Sequence, residues 1–238
     1  MLELFAGSCS IGKAATDLGM EVFSSDVRSF ERLRKEDDTE DIHYKVDIFD
    51  FDPSKVPFKP DIIWASPPCT AFSVASCWLH WGVDSKNPEK RVPQTQKAQL
   101  GIDIVKKTLA IIEHFKPKYW FIENPRGMLR KQDFMIEAVT KLGGVRNTVT
   151  YCQYGDYRMK PTDIWTNLNA QDALAWEPRA MCKRGAPCHE ASPRGSQKGG
   201  VMRQSNSYER SRIPKELCTE ILKACQDDHL HRHLNQAA

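Results

Sequence analysis

An apolar run that stops at two consecutive prolines constrains this chain more than any other stretch. Residues 61–65 read Asp-Ile-Ile-Trp-Ala and lead into Ser66-Pro67-Pro68-Cys69, which predicts a buried strand with an abrupt end. Proline fixes φ and lacks a backbone N–H, so the pair forms a stiff, extended turn that directs Cys69. In open α/β sheets, ligands bind at the carboxyl ends of the strands. Taken alone, the stretch is equally compatible with a nucleophilic cysteine and with a small buried hydrophobic one.

A second strand-and-turn unit lies at the N-terminus. Leu2–Phe5 is a short apolar strand that leads into Ala6-Gly7-Ser8-Cys9-Ser10. Small residues let backbone N–H groups approach a ligand closely at the start of a helix. We expect Ser10 to cap that helix, which continues to about Leu18 and ends at Gly19. The unit is a candidate ligand loop, although glycine turns after strands also serve purely structural roles.

Acidic residues end the next two predicted strands. The run 20–25 leads to Asp26, and the run 42–46 leads to Asp47. A carboxylate about 20 residues after a glycine turn suits the hydroxyl groups of a ribose. The turn has one glycine where a dinucleotide fingerprint has three, so we expect an adenosine-type cofactor without a pyrophosphate.

A third carboxylate follows the strand Tyr119–Ile122. The chain continues there as Glu123-Asn124-Pro125. A glutamate after four apolar residues is expensive to bury unless it is protonated or hydrogen-bonded. Such a group suits a proton donor. The alternative is a carboxylate that caps a helix beginning near Met128.

The segments between these strands differ in character. Residues 28–41 are highly charged and predict a solvated helix or loop. Residues 71–93 lack periodicity but interleave aromatic and basic side chains, which fits either a nucleic-acid contact or a solvated insertion without structure of its own. Residues 94–115 predict an amphipathic helix, and the apolar residues at helical spacing are Leu100, Ile104, Leu109 and Ile112.

The last third of the chain changes in composition. Residues 167–208 are rich in Gly, Pro, Ser, Arg and Lys, which predicts a small module built from loops. Cys182, Cys188 and His189 lie within it and could bind zinc, but the usual pair of closely spaced cysteines is absent, so the sequence favours no metal and leaves zinc as the open alternative. A helix is expected to start within 211–214, with proline in its first turn. The histidines near the C-terminus are expected to belong to a frayed end.

Composition sets limits on the class of protein. The 238 residues have a net charge of +3, which permits a nucleic-acid partner without requiring one. No apolar run approaches the length of a membrane span, and the N-terminus lacks a cleavable signal. Eight irregularly spaced cysteines then indicate free thiols in the cytosol or nucleus.

Five motifs, in order along the chain, resemble those of the cytosine-C5 DNA methyltransferase family. They are Leu4-Phe5-Ala6-Gly7-Ser8 for the cofactor loop, Ser66-Pro67-Pro68-Cys69 for the nucleophile, Glu123-Asn124-Pro125 for the acid, Tyr154-Gly155 with Arg158 and Lys160 for a later basic motif, and Arg212-Ile213-Pro214 for the closing helix. The resemblance covers about residues 1–167 and 206–224 and is closest to short, phage-like members.

This resemblance implies a fold and partners. The fold is α/β: a Rossmann-like sheet of the S-adenosylmethionine-dependent methyltransferase type with a small, loop-rich recognition module. It implies a catalytic domain at 1–167, a target-recognition region at 168–205, a C-terminal helix at 206–225 and a tail at 226–238. The expected partner is double-stranded DNA, bound by a monomer in the cytoplasm of a bacterial or phage-infected cell, with no membrane contact.

The resemblance also implies roles for single residues. Cys69 adds to C6 of a cytosine flipped out of the duplex, and Glu123 stabilises the charge that develops at N3. The cofactor is S-adenosyl-L-methionine, with Phe5, Ala6, Gly7 and Ser8 at its methionine end, Asp26 at the ribose and Asp47 at the adenine amino group, while Pro67 and Pro68 wall the base pocket. The basic motif has lost one arginine position, so either Arg158 or Lys160 contacts the base.

Two other functions stay open at this point. One is the same chemistry on RNA, or another modification at C5, because fold and nucleophile alone do not fix the substrate. The other is a catalytically silent module that binds nucleic acid.

Overall fold

Strands and helices alternate along most of the chain. A computed structural model describes residues 1–27, 42–168, 176–183, 185–189, 209 and 211–236. The charged segment 28–41 and most of the module 167–208 lie outside the described residues. The strands are β1 (Leu2–Leu4), β2 (Phe23–Asp26), β3 (Tyr44–Lys45), β4 (Ile62–Ala65), β5 (Trp81–Val83), β6 (Arg91–Pro93), β7 (Tyr119–Pro125), β8 (Val145–Thr150) and β9 (Pro161–Thr166). The helices are α1 (Ser10–Asp17), α2 (Cys77–His80), α3 (Gln96–Phe115), α4 (Asp133–Lys141) and α5 (Lys215–Gln236).

Seven of the strands form one mixed sheet. Their order is β3-β2-β1-β4-β7-β9-β8. Neighbours from β3 to β7 are parallel, whereas β9 runs antiparallel to both β7 and β8. Since parallel strands end at the same edge, the turns after β1, β4 and β7 are neighbours in space. The predicted Rossmann-like α/β sheet is confirmed.

Helices cover both faces of this sheet, because successive strand residues point to opposite sides. One core cluster joins Ile63 and Ala65 to apolar residues of α3 and α4. The other joins Trp64 and Phe121 to apolar residues of α1 and α5. Each fully buried large apolar side chain contributes about 1.5–3 kcal/mol, so uniformly apolar strands are stable between two helical layers. Within the described residues, no helix is both long and apolar enough to cross a membrane.

Helix α1 begins without the serine cap that the sequence predicts. Its N-cap is Cys9, at φ 52°, and no side chain caps it. The Ser10 hydroxyl instead lies 2.8 Å from Ser8 Oγ and accepts a hydrogen bond from Ile213 N at 3.2 Å. The predicted cap was wrong because Ser10 binds the segment that leads into α5.

The segment 71–93 has more structure than its sequence predicts. It contains α2 and an antiparallel hairpin of β5 and β6. Phe72 and Trp81 are buried with ring centroids 5.8 Å apart, and Trp81 Nε1 donates to Ala71 O at 2.8 Å. Trp78 is 72% exposed. The alternative of an insertion without structure of its own was wrong, because the segment forms a helix and a hairpin. The alternative of a nucleic-acid contact stays a prediction.

Two helices differ in detail from their predictions. On α3, Leu109 and Ile112 are buried as predicted and Ile104 packs against the core, but Leu100 is 50% exposed. Helix α5 begins at Lys215 and continues to Gln236, well past the predicted end at 225. Within this extension, Tyr119 OH, in β7, donates to the buried carboxylate of Asp228. The expected fraying of the histidine-containing end stays a prediction.

Candidate active site

A cavity of about 140 Å³ lies at the carboxyl edge of β1, β4 and β7. Three strand-end turns and two later segments line it. The lining residues include Phe5, Ala6 and Ser8 after β1, Ser66, Pro67, Pro68 and Cys69 after β4, Glu123 and Pro125 in β7, then Lys160, Ser211 and Ile213. The fold thus brings the predicted nucleophile, the predicted acid and the predicted cofactor loop to one place.

A second cavity, of about 340 Å³, lies at the opposite edge of the sheet. Met1, Asp61 and Lys118 are among its lining residues, and they precede β1, β4 and β7. Ligands of open α/β sheets bind at the carboxyl ends of the strands. We therefore assign the site to the smaller cavity, which is lined by Cys69, Glu123 and Lys160.

The turn that carries Cys69 is fixed by neighbouring strands. Ser66 N donates to Leu4 O of β1 at 3.2 Å, and Trp64 Nε1 donates to Ser66 Oγ at 2.9 Å. Prolines 67 and 68 then restrict the backbone further. Cys69 is partly buried, so its thiol lies at the cavity without being sealed in the core.

The end of β7 joins the acid turn to the Cys69 turn. Asn124 is fully buried, and its Nδ2 donates to Pro67 O at 2.9 Å. Gly127 lies against the chain after Cys69, where an added Cβ would come 2.1 Å from Phe72 O. Glycine is required at this close approach. The turns after β4 and within β7 therefore form one packed unit.

Glu123 is 5% exposed and has two polar partners. Tyr151 OH donates to Glu123 Oε1 at 2.8 Å, and Lys160 Nζ lies 3.6 Å from the same oxygen. Lys160 Nζ also lies 4.6 Å from the centre of the Tyr151 ring. Burial, followed by the nearby charge of Glu123, raises the pKa of Tyr151 well above its ordinary value, so the phenol stays a donor. The short helical turn after Met128 has no side-chain cap, which rejects the capping role for Glu123.

Lys160 and Arg158 occupy different surroundings. Lys160 lines the cavity, whereas Arg158 is 2% exposed and is not among the lining residues. Arg158 Nε lies 2.9 and 3.0 Å from the two carboxylate oxygens of Asp156, and its Nη atoms donate to Glu209 O at 3.3 Å and Arg212 O at 3.1 Å. The Arg158 guanidinium thus holds the segment before α5, and its predicted contact with the base stays a prediction.

The loop after β1 has an unusual backbone. Phe5, Gly7 and Cys9 have φ values of 57°, 53° and 52°. Left-handed conformations are costly for residues other than glycine, and they persist where surrounding contacts impose them, often at functional sites. Gly7 N donates to Asp26 Oδ2 at 3.0 Å, which ties the loop to the end of β2. A Cβ on Gly7 would come 3.3 Å from Ser211 Oγ, so the segment before α5 packs against the same loop.

Asp47 lies further along the same edge, just after β3. It is exposed, and its Oδ1 accepts a hydrogen bond from Phe49 N at 3.0 Å. Phe49 is 44% exposed. Asp47 is not among the residues that line the 140 Å³ cavity. Its predicted contact with an adenine amino group stays a prediction.

Comparison with known proteins agrees with this arrangement. A family model described as C-5 cytosine-specific DNA methylase matches residues 1–145, which include the turns of β1, β4 and β7. The chain belongs to this family. A curated relative, a probable DNA (cytosine-5)-methyltransferase of Frog virus 3 (isolate Goorha), is 27% identical over 241 residues, covering 94% of this chain and 99% of the relative.

Two solved structures are similar in fold to this member of the DNA methylase family. A prophage-encoded protein from E. coli, described as a DNA modification methyltransferase, has a TM-score of 0.48 and 14% identity over 76% of this chain. A mutant of Spodoptera frugiperda DNMT2 has a TM-score of 0.46 and 15% identity over 69% of this chain. The present chain spans about half the length of these two solved chains, 51% and 48%.

Two features of the site in this DNA methylase have no signal in its sequence. The Tyr151–Glu123 hydrogen bond joins residues 28 positions apart, and it spans β9, which lies between β7 and β8. Ser211 reaches the cavity from the segment before α5. Only the arrangement of the whole sheet brings these residues to the site.

Proposed function

We propose that this protein transfers a methyl group from S-adenosylmethionine to C5 of cytosine in double-stranded DNA, through a covalent bond between Cys69 and C6. One observation carries the proposal: Cys69, Glu123 and the Phe5–Ser8 loop line a single cavity. A nucleophile, an acid and a loop suited to a cofactor are the parts that this reaction needs. Family membership and the name of the viral relative support the same activity.

The order of the strands supports the choice of cofactor. From β3 to β7 the sheet edge carries Asp47, Asp26, the Phe5–Ser8 loop, Cys69 and Glu123. Four strand spacings of about 4.8 Å give about 19 Å, enough for an extended nucleoside with an amino-acid arm beside a base. Carboxylates accept hydrogen bonds from an adenine amino group and ribose hydroxyls, and small residues leave room for the methionine end. When bound, S-adenosylmethionine supplies an electrophilic methyl group.

Cys69 makes cytosine reactive, because C5 of the free base is a poor nucleophile. The Cys69 thiolate forms a bond to C6, and the electron pair of the C5–C6 double bond moves into the ring toward N3. C5 would then bond to the methyl group while the bond between that methyl and the cofactor's sulfur breaks, so that the positively charged sulfonium leaves as a neutral thioether. Loss of the C5 proton to a base returns an electron pair to the C5–C6 bond, and the thiolate leaves. Cytosine gains one methyl group and loses one proton, and Cys69 is regenerated.

Glu123 stabilises the negative charge that develops at N3 during this addition. It does so by donating a proton or hydrogen bond in a buried setting, where such contacts are strong. Tyr151 and Lys160 both engage Oε1, so we assign the contact with the base to Oε2. Tyr151 acts as a positioning residue, and the Lys160 ammonium adds positive charge beside the ring.

DNA must open locally for this chemistry. C6 of a stacked cytosine is out of reach of a thiol, so the target base is flipped into the cavity between Pro67, Pro68 and Glu123. The recognition region at 168–205 is short, which limits the number of base-edge contacts. We therefore propose a short or degenerate target sequence.

The decisive experiment uses labelled S-adenosylmethionine and duplex DNA. Wild type should label cytosine, and Cys69→Ala should label nothing above background. Cys77→Ser is a matched control, because Cys77 is also partly buried but lies outside the cavity, and this variant should act like wild type. Duplexes that contain 5-fluorocytosine should trap a denaturation-resistant adduct with wild type only, since fluorine at C5 cannot leave as a proton.

Each outcome bears on one part of the proposal. Label transferred by Cys69→Ala would contradict the covalent mechanism. Label that appears on RNA and not on DNA would redirect the proposal to an RNA substrate. DNA binding without transfer by wild type would favour a silent binding module.

A further inference from the structure

Four metal-ligating side chains meet outside the candidate active site. The ligand atoms of Cys152, Cys182, Cys188 and His189 all lie within 4.8 Å of one another. Cys152 belongs to the short helical segment Tyr151–Tyr154 that follows β8, and the other three belong to the recognition region. Sequence analysis identified the three residues of that region but had no reason to add Cys152, which is 30 positions before Cys182.

The distances among the ligand atoms of Cys182, Cys188 and His189 fit three corners of a tetrahedron around one ion. Cys182 Sγ and Cys188 Sγ lie 3.5 and 3.6 Å from His189 Nδ1, and the two sulfur atoms are 3.2 Å apart. Zinc bonds of about 2.3 Å to sulfur and about 2.0 Å to nitrogen separate the ligands of a tetrahedron by about 3.5–3.8 Å. The sulfur–nitrogen distances agree with this value, and the shorter sulfur–sulfur distance requires an outward movement of about 0.5 Å.

Neighbouring contacts bring the two segments together independently of any ion. Cys182 N donates to Thr150 Oγ1 at 2.8 Å. Arg179 N donates to Tyr154 OH at 2.8 Å, and its guanidinium lies 4.6 Å from the centre of that ring. Gln153 Nε2 lies 3.5 Å from Cys188 Sγ. These contacts hold the ligands on a formed scaffold, and an amide N–H beside a thiolate is the kind of outer contact that supports metal ligands.

We propose that Cys152, Cys182, Cys188 and His189 bind one Zn²⁺ in a closed, structural site. Three thiolates and one imidazole match the ligand preference of zinc, and four protein ligands leave no position for a reacting water. The ion joins the recognition region to the strand end that also carries Tyr151. A short, loop-built region with few apolar residues gains from such a staple, because it cannot build a core of its own.

The zinc content of the 238-residue chain tests this proposal directly. Protein purified without chelator should contain about one zinc per chain by elemental analysis. Cys188→Ser and His189→Ala should each lower the zinc content at least roughly tenfold, since even outer-contact changes cost 10- to 100-fold in affinity. Cys188 is exposed, so its variant should leave the sheet folded. Cys77→Ser, outside the cluster, should keep the wild-type content.

Cobalt substitution provides a second readout that does not depend on enzymatic activity. Co²⁺ should give the visible bands of a tetrahedral ion and thiolate charge-transfer bands that weaken with each lost cysteine. Chelation should increase proteolysis within 168–205 and leave the sheet intact. Zinc absent from wild type after reconstitution, or zinc content unchanged in both Cys188→Ser and His189→Ala, would overturn the proposal. So would a Cys182–Cys188 disulfide found by mass in freshly purified protein.

Discussion

The Cys69 turn and the Cys152 cluster both present cysteine side chains, but they are built in opposite ways. Cys69 follows an apolar strand and two prolines, so contiguous residues set its position. The cluster combines Cys152, at the end of β8, with three residues from a segment 30 positions later. Parallel strands carry their end turns to one edge automatically, whereas a distant segment must dock before its ligands meet. A site formed by residues that are contiguous in sequence can therefore be predicted from that sequence. A site whose residues come from distant segments cannot.

The contrast is one of degree, because the Cys69 turn also depends on distant support. Asn124 donates to Pro67 O, and Gly127 packs against Phe72 O in the chain after Cys69. If the prolines alone fixed the turn, these contacts would be dispensable. A substitution at Gly127, the tightest of these contacts, shows whether the prolines or the distant contacts keep the Cys69 turn rigid.

Gly127→Ala should have the largest effect on stability. Its Cβ would lie 2.1 Å from Phe72 O and 3.1 Å from Phe72 C, and backbone atoms cannot move aside as a flexible side chain can. We expect the free energy of unfolding to fall by about 4 kcal/mol. Methyl transfer should fall with it, because the Cys69 and Glu123 turns must separate. Urea unfolding and single-turnover assays measure the two losses.

Gly143→Ala is the control for that variant. Gly143 has φ 65° but no atom within 4 Å of an added Cβ, so only the left-handed backbone opposes alanine. The expected cost is about 1–2 kcal/mol, with the transfer rate unchanged. A Gly127→Ala protein as stable and active as wild type would mean that the Cys69 turn is rigid on its own.

Arg158→Met should lower stability, whereas Lys160→Met should lower the rate of methyl transfer. Arg158 is bound to Asp156 and to two carbonyl oxygens away from the cavity, so its loss should lower stability by about 3 kcal/mol. The folded fraction should keep its transfer rate. Lys160→Met should lower the rate at least roughly tenfold, because a cation beside the developing charge is lost. Chemical unfolding and single-turnover kinetics on both variants separate these effects. A slowed but fully stable Arg158→Met protein would return that residue to the active site.

The fold and half of the site were predictable for the same physical reason. Apolar runs such as Ile62–Ala65 predict buried strands, because exposing several consecutive apolar side chains to water is unfavourable. Each run ends at a turn with distinctive residues. Prediction failed where tertiary contacts override local preference. Ser10 binds Ile213 instead of capping α1, and Trp81 packs into the core from a segment without periodicity. The sequence also gives no sign that the Arg158 guanidinium binds the Arg212 carbonyl, because that contact exists only once the segment before α5 has docked.

Tyr151→Phe should give the smallest effect, and it tests the assembled half of the active site. Phenylalanine keeps the ring beneath Lys160 and removes the hydroxyl that donates to Glu123, so methyl transfer should slow roughly tenfold, or about 1.4 kcal/mol. The KM for S-adenosylmethionine should stay within about twofold, because a positioning residue acts on the chemical step. Tyr119→Phe is the matched control, since Tyr119 OH also donates to a buried carboxylate, that of Asp228, but remote from the cavity. If Tyr151→Phe and Tyr119→Phe lose stability equally and both keep the wild-type transfer rate, Tyr151 has only a packing role. Its hydrogen bond to Glu123 would then not contribute to the active site, whose predicted nucleophile and acid would depend on their own strand-end turns.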